Sequence, residues 1–591
     1  MIHLTIDGIG TVVPEGVTVL EASRAAGVEI PTLCRHEDLK PTGACGMCVV
    51  EMNGKGSLKR ACVTPAEEGM EVRTNSTVLR RMRRTLLELV LAAHPKDCLQ
   101  CIKHGKCELQ ELAERLEVRE LSYDTYTRAL SVDRSSPGIV RDMNKCIGCG
   151  RCVEVCNAVQ SVGSIFFRGR GSETIVAPPE GFGMGESACV NCGQCVVYCP
   201  VGALYEREYI EEVWSAIDDP QQIVVAQIAP AVRVALGEEF GMPPGALSIG
   251  KIYAVLRRLG VNVVLDTNFS ADLTIMEEGT EFLERLHKGG PLPLITSCSP
   301  GWIKFGETYF PELMENISSC KSPQQMLGAL VKTYYADSRG LSPERITSLS
   351  IMPCTAKKYE ASRPEMNSSG YRDVDFVLTT RELARMIREA GIDFATLGDQ
   401  APDPILSSYT GAATIFGATG GVMEAAVRTA YELETGTPLK RLELKAVRGL
   451  EGVKEATLDV DGVPVRVAVA HGLANARELL EIVRSDRDEG ERRYDFVEIM
   501  ACTGGCVGGG GQPIPNTLSQ RRSRAEGLYR EDSNLRERKS HENPEVSALY
   551  EKFLDKPGSE RAHHLLHTEY VRRTPYTEKF QTVANEQVGA R

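Results

Sequence analysis

Between residues 146 and 199 one cysteine pattern occurs twice. Cys146, Cys149, Cys152 and Cys156 stand as C-x2-C-x2-C-x3-C, and Cys189, Cys192, Cys195 and Cys199 repeat it, closed by Pro200. Thiolates are soft donors, and four at such spacing suit iron–sulfur clusters. The other cysteines are grouped as well. Of twenty in 591 residues, four lie in 34–62, three in 98–107 and five in 298–506; scattered buried thiols would show no such spacing. The start, Met1 to Asp7, lacks the basic and apolar regions of a secretory signal. No apolar run reaches the roughly 18 residues of a membrane span. A cytoplasmic protein is expected, and there grouped thiols bind metal rather than pair as disulfides. The net charge of −12 argues against a nucleic-acid partner.

The doubled run, within a domain over 138–209, resembles the bacterial two-cluster ferredoxins. That resemblance implies that the fourth cysteine of each run serves the other cluster. The implied sets are Cys146, Cys149, Cys152 with Cys199, and Cys189, Cys192, Cys195 with Cys156. Residues 1–78 open with two strands around Asp7-Gly8 and a helix near 20–26, followed by Cys34, Cys45, Cys48 and Cys62. This resembles a β-grasp ferredoxin module with one [2Fe–2S] cluster, in the form found at the start of complex I's large peripheral subunit; a zinc site is the alternative. Residues 79–120 begin with a basic amphipathic helix over 79–92 and continue into His94, Cys98, Cys101 and Cys107. Three thiols lack a fourth partner, and imidazole can replace a thiolate on iron. The set resembles the His-ligated [4Fe–4S] segment of the same subunit. A polar linker over 121–137 precedes the doubled run.

Residues 210–515 change character. Apolar β-rich runs at 223–229, 261–265, 292–296, 347–352, 374–378, 465–470 and 496–500 alternate with helical patterns such as 381–390 and 474–484. That alternation predicts α/β layers with mostly parallel strands, interrupted by a hairpin at Asp461-Gly462. Three strands end at thiols: 292–297 at Cys298, 348–353 at Cys354, and 494–500 at Cys502 and Cys506, followed by a glycine run. Ligands in an open α/β sheet sit beyond the carboxyl ends of the strands, so the three strand ends are expected to converge on one site. Residues 516–575 read as a charged helical segment and 576–591 as a tail.

At the strand-end motifs the chain resembles the iron-only, or [FeFe], hydrogenases. The residues that carry the resemblance are Thr296-Ser297-Cys298-Ser299-Pro300-Gly301-Trp302, Met352-Pro353-Cys354-Thr355-Ala356-Lys357-Lys358-Tyr359-Glu360, and Met500 through Pro513, supported by Ala229-Pro230, Ser322 to Gln325 and Phe416 to Gly421. It spans nearly the whole chain. The implied architecture is multidomain α/β: the [2Fe–2S] domain, the His-ligated segment, the two-cluster ferredoxin domain, an α/β H-cluster domain and a helical small-subunit-like segment. The implied cofactors are one [2Fe–2S] cluster, three accessory [4Fe–4S] clusters and an H-cluster, in which a [4Fe–4S] cube is bridged to a two-iron unit carrying CO, cyanide and an azadithiolate. By position Cys354, Cys502 and Cys506 would ligate the cube, and Lys357 would face a cyanide. Pro230, Pro323, Gln324, Met352, Phe416 and Met500 would wall the two-iron pocket. The proton route carries over as Cys298, Glu281, Ser318 and Glu278.

One position departs from the family. Where the first motif often has adjacent cysteines, only Cys298 remains, and Ser299 stands at the ligand position. Either Cys298 supplies the fourth ligand after a local shift, or Ser299 ligates as an alkoxide, or the cube is incomplete. Cys320, which no cluster claims, reads as a small buried hydrophobe; the sharper reading has it compensate for Ser299 or add its thiol to the proton path. The expected reaction is the interconversion of H2 with protons and electrons. Its implied partners are ferredoxin, flavin- and NAD(P)-binding subunits, since no nucleotide fingerprint is evident, together with maturation proteins. The alternative is a hydrogenase-like electron-transfer or redox-sensing subunit with no two-iron site.

Overall fold

The computed structural model of the chain describes residues 1–53, 57–439, 442–460 and 463–576. The hairpin tip at Asp461-Gly462 and the tail from 577 onward lie outside the described residues.

The first module is a five-stranded mixed sheet in the order Ile9–Val13, Ile2–Ile6, Glu71–Arg73, Val49–Met52, Ser57–Arg60. Its helix, Val19–Ala25, starts at a capping box in which Thr18 and Glu21 satisfy each other's backbone N–H. The basic helix Thr77–Ala92 is capped by Ser76, and a short helix, Glu108–Arg115, follows Cys107. The doubled cysteine runs lie between strands Ile139–Arg141 and Leu204–Glu206, which pair antiparallel. Arg151, in the first run, ties these parts together. Its guanidinium donates to both Glu108 carboxylate oxygens at 2.7 Å and to the Arg35 carbonyl at 3.0 Å.

The large domain differs from one open sheet. It holds two four-stranded sheets. One runs Val263–Asp266, Ile223–Ile228, Ile346–Met352, Phe376–Thr379, all parallel. The other runs Leu294–Ile295, Phe496–Met500, Val463–His471, Val453–Val460, parallel except for the last pair. The central strands Ile346–Met352 and Phe496–Met500 are buried at every residue, which fits parallel strands covered on both faces. The expected strand at 292–296 is ordered as a strand only at Leu294–Ile295. The 22-residue helix Thr267–Lys288 starts where the Asp266 carboxylate accepts from the Asn268 N–H. It packs against the helices Pro323–Leu330 and Gly421–Thr435. Among the described residues no helix is long and apolar enough to cross a membrane.

Candidate active site

The carboxyl ends of both sheets open on one cavity, with a solvent-accessible volume of about 70 Å³. Packed cores leave few voids larger than a water molecule, so a gap of this size lined by thiols calls for a resident group. Cys298, Ser299, Cys354, Cys502, Cys506 and Lys357 line it. So do Pro230, Pro323, Gln324, Met352, Phe416 and Met500, which make its wall largely apolar.

Local backbone explains the convergence. Cys354 follows Met352, whose strand pairs with Ile223–Ile228 so that Ala229-Pro230 abuts it. Ser299 is the last residue before the helix Pro300–Tyr309, with proline at the first helical position. The glycine run lets loops touch. A Cβ on Gly509 would stand 2.2 Å from the Pro353 carbonyl oxygen, and one on Gly510 2.3 Å from that of Cys192. Gly505 is left-handed at φ 87°, and a Cβ there would strike the Thr419 nitrogen at 2.7 Å.

Burial pushes the Cys506 thiol up to about 12. Cys354 and Cys502 hydrogen-bond through sulfur, which lowers the first and raises the second. Lys357 Nζ donates to the Cys298 carbonyl at 3.1 Å and to Glu360 Oε2 at 2.9 Å. Ser322 and Gln324 Nε2 converge on the same Glu360 oxygen, at 2.9 and 3.0 Å. Gln324 Oε1 is left buried with no partner, which costs free energy unless something in the cavity satisfies it. The Ser299 hydroxyl accepts from the Ala501 N–H at 3.2 Å, on the Cys502 side. The Cys298 thiol instead has Cys506, Glu278, Lys357 and Glu498 as its charged neighbours.

The acidic residues are ordered differently from the expected sequence of Cys298, Glu281, Ser318 and Glu278. Glu278 is the inner carboxyl: it is 1% exposed, neighbours Cys298, and hydrogen-bonds Ser318 and the Ser297 N–H. Ser318 donates to Glu281 Oε2 at 3.0 Å. Glu281 is the outer one, ion-paired with Arg285 at 2.5 Å, and its side chain is 15% exposed. The reversal follows from the helix direction, since Glu278 lies nearer the sheet edge where Thr267–Lys288 begins. Both glutamates lie in the interior of the helix Thr267–Lys288. Burial raises Glu278 to about 8, helped by the negative charge of Glu281. Arg285 and Glu360 were not evident in the sequence; their only local sign is i+4 and i+3 spacing from Glu281 and Lys357. Cys320 is fully buried, with Sγ 4.0 Å from Glu281 Oε2.

The accessory thiols gather in four places. Cys34, Cys45, Cys48 and Cys62 perturb one another through sulfur hydrogen bonds. His94, Cys98, Cys101 and Cys107 line one surface pocket, and His94 Nδ1 is buried without a hydrogen-bond partner. Gly202 belongs to that pocket; a Cβ on it would stand 2.5 Å from Cys101 Sγ. Cys152 has Cys149, Cys199 and Cys146 as its nearest thiol charges, whereas Cys195 has Cys189, Cys192 and Cys156. Cys192 in turn neighbours Cys354 and Cys502. The donor sets are thus all sulfur or sulfur with imidazole, which suits iron–sulfur clusters.

Two sheets converging on a thiol-lined cavity, wired to sulfur-rich modules, define an iron–sulfur redox enzyme. Residues 222–510 match the iron only hydrogenase large subunit, C-terminal domain, and 518–573 the iron hydrogenase small subunit. Residues 1–77 match a 2Fe-2S iron-sulfur cluster binding domain, 83–121 the NADH-ubiquinone oxidoreductase-G iron-sulfur binding region, and 139–209 a 4Fe-4S dicluster domain. The chain is 50% identical to the NADP-reducing hydrogenase subunit HndD of Solidesulfovibrio fructosivorans, over 97% of this chain and 99% of that one. It is 40% identical to iron hydrogenase 1 of Clostridium pasteurianum, over 96% and 99%. An apo [FeFe]-hydrogenase structure from Chlamydomonas reinhardtii superposes with a TM-score of 0.55 at 44% identity, covering 62% of this chain and 99% of that one. The chain belongs to the iron-only hydrogenases. It is a hydrogenase with an H-cluster domain preceded by [2Fe–2S] and [4Fe–4S] electron-relay domains.

Proposed function

We propose that this chain is the cytoplasmic catalytic subunit of an NAD(P)-linked or electron-bifurcating hydrogenase complex, catalysing 2H⁺ + 2e⁻ ⇌ H2. Flavin- and NAD(P)-binding partner subunits or ferredoxin would exchange its electrons, and maturation proteins would install the two-iron unit. The name of the half-identical NADP-reducing subunit supports the nucleotide link. The proposed units are 1–78, 79–120, 138–209, 210–515 and 516–575.

The observation that carries the reading is the meeting, in one apolar cavity, of four thiols and Lys357, one of the thiols, Cys298, neighbouring Glu278 at the head of a hydrogen-bonded carboxyl chain that reaches partly exposed Glu281. Cys354, Cys502 and Cys506 would hold the cube, with Ser299 nearest the fourth position through its place beside Ala501. Bound there, the H-cluster supplies the metal chemistry that joins protons and electrons. The chain's own residues do the rest. Lys357 presents a cation held by Glu360, and the apolar wall excludes water and strengthens electrostatics inside. Cys298 exchanges a proton with Glu278. Neutral Glu278 can donate to the Ser318 oxygen while Ser318 donates to Glu281, a chain that moves a proton by reversing its hydrogen bonds. Electrons would arrive by two branches. The [2Fe–2S] thiols, Cys34, Cys45, Cys48 and Cys62, and the set His94, Cys98, Cys101 and Cys107 both adjoin the Cys146, Cys149, Cys152, Cys199 set, through Arg151 and Gly202 respectively. The Cys156, Cys189, Cys192, Cys195 set leads on to Cys354.

Infrared absorption after anaerobic maturation tests the reading. Bands of iron-bound CO and cyanide, with H2 evolved from reduced viologen, are expected. A fully assembled protein with neither would be an electron-transfer or redox-sensing relative.

A further inference from the structure

The outer end of the carboxyl chain carries a second cluster, in which Glu281 is joined by two residues that the hydrogen chemistry does not use. The ligand atoms of Glu281, Cys320 and His567 all lie within 4.8 Å of one another. Cys320 and His567 face each other across an antiparallel bridge. The bridge is flanked by the Lys321 N–H on the Leu566 carbonyl and the Thr568 N–H on the Ser319 carbonyl, both at 2.8 Å. Two segments far apart in sequence are thereby held in a fixed register.

His567 is oriented from behind. Its Nε2 lies 3.0 Å from Glu277 Oε2, a carboxylate itself held by the Tyr550 hydroxyl and by the Gly558 N–H at 2.9 Å. An imidazole that donates Nε2–H to a carboxylate turns the Nδ1 lone pair the other way, the arrangement that usually backs a metal-bound histidine. Nδ1 points at the Ser319 hydroxyl, 2.8 Å away, and that hydroxyl is 3.2 Å from Glu281 Oε2. Cys320 is fully buried and His567 is 8% exposed. The partly exposed Glu281 gives access from solvent.

We propose that Glu281, Cys320 and His567 form an inhibitory binding site for a soft divalent cation of the zinc class, seated on the proton exit. One thiolate, one imidazole and one carboxylate form a donor set suited to tetrahedral Zn²⁺ and not to Mg²⁺ or Ca²⁺, which prefer oxygen ligands. The Ser319 hydroxyl or a water would fill the fourth position. Binding replaces the Cys320 thiol proton by the metal and releases that proton to solvent. It occupies the Glu281 oxygen that now accepts from Ser318, so the chain from Glu278 is cut. The blocking effect rests on the proposed proton route; the binding does not.

The test uses the full chain with its clusters assembled. Wild type, Cys320→Ala and His567→Gln are equilibrated with Zn²⁺ and desalted, and metal content, zinc-edge X-ray absorption and H2 evolution are measured. Wild type should retain one more zinc per chain than either variant. Its spectrum should show one sulfur at about 2.3 Å and lighter atoms at about 2.0–2.1 Å. Zinc should slow wild type at least tenfold, reversibly with a chelator, and leave both variants at their zinc-free rates. Equal zinc in all three proteins, or a wild-type shell of several sulfurs, overturns the site. Zinc bound as described with the wild-type rate unchanged overturns the blocking role and the placement of Glu281 on the route. Should either variant fail to assemble its clusters, the one-sulfur shell in wild type still decides the site.

Discussion

Replacing Glu278 by glutamine separates proton carriage from every structural role of that side chain. The carboxyl is 1% exposed, and its value is raised from 4.5 to about 8, first by burial and then by the charge on Glu281. A rise of roughly 3.5 units corresponds to about 5 kcal/mol of preference for the neutral form, at about 1.4 kcal/mol per unit. At pH 7 roughly nine in ten Glu278 side chains would hold a proton, and the amide of glutamine mimics that form in shape. The linkage sign follows. Unfolded, the group ionises above 4.5; folded, it stays neutral to about 8. The wild type therefore loses stability as pH rises through that window, and Glu278→Gln does not. The variant should melt no earlier than wild type at pH 6 and later at pH 8.5. Its H2 evolution should nevertheless fall by on the order of 10²–10⁴, the usual loss when a positioned proton carrier is removed. In wild type the rate of evolution should decline above about pH 8, as the proton leaves Glu278. The assay is the pH–rate profile with reduced viologen on matured protein, with the infrared bands checked first so that lost activity is not lost cofactor. Activity of Glu278→Gln within threefold of wild type would refute the route.

Ser299→Cys should place a softer donor at the cube and raise its midpoint potential by on the order of tens of mV, read by infrared spectroelectrochemistry; an unmoved potential would mean that position 299 does not ligate. His94→Cys exchanges a neutral imidazole for a thiolate and should lower that cluster's potential by on the order of 100 mV, followed by redox titration with electron paramagnetic resonance; an intact cluster signal in His94→Ala with an unshifted potential in His94→Cys would contradict ligation. Glu206, buried in the ferredoxin region, pairs with Arg381 at 2.8 Å and Arg385 at 3.1 Å in the large domain, and the arginines hold its carboxyl well below the usual range. Glu206→Gln should cost about 3 kcal/mol, the low end for breaking a buried pair, and should show as faster proteolysis between the two regions; unchanged cleavage would show that the junction does not depend on the pair.

Ligand spacing is local, so the four accessory thiol sets could be read in the chain before any fold was known. The strand-end thiols were also legible, because each follows a short apolar run within a few residues. What the sequence concealed were long-range decisions. Strands 346–352 and 496–500 look alike in composition, yet they sit in different sheets, and nothing local says which neighbours a buried parallel strand will take. Glu278 and Glu281 share a helical face, so spacing alone left their order open; only the packing of Ser318 and Arg285 against that helix sets it. His567 and Tyr550 reach Glu277 across 290 and 273 residues of chain, a distance at which a lone histidine carries no signal.

On the proposed routes, the two-sheet division lets electrons and protons reach one cavity without sharing a path. The ferredoxin side packs closely against the large domain. A Cβ on Gly193 would stand 2.3 Å from Thr355 Oγ1, Gln194 Nε2 donates to the Gly508 carbonyl at 3.0 Å, and Lys304 Nζ donates to that of Cys189 at 2.7 Å. That contact brings Cys192 beside Cys354 and Cys502. The carboxyl chain approaches past the opposite strand end, where Cys298 follows the short strand Leu294–Ile295 and the helix Thr267–Lys288 supplies both glutamates. An electron needs only close approach of the clusters, whereas a proton needs a continuous run of hydrogen-bonding groups. Glycines crowd the first face and titratable side chains line the second, so on the proposed routes each carrier would have its own side of the seam.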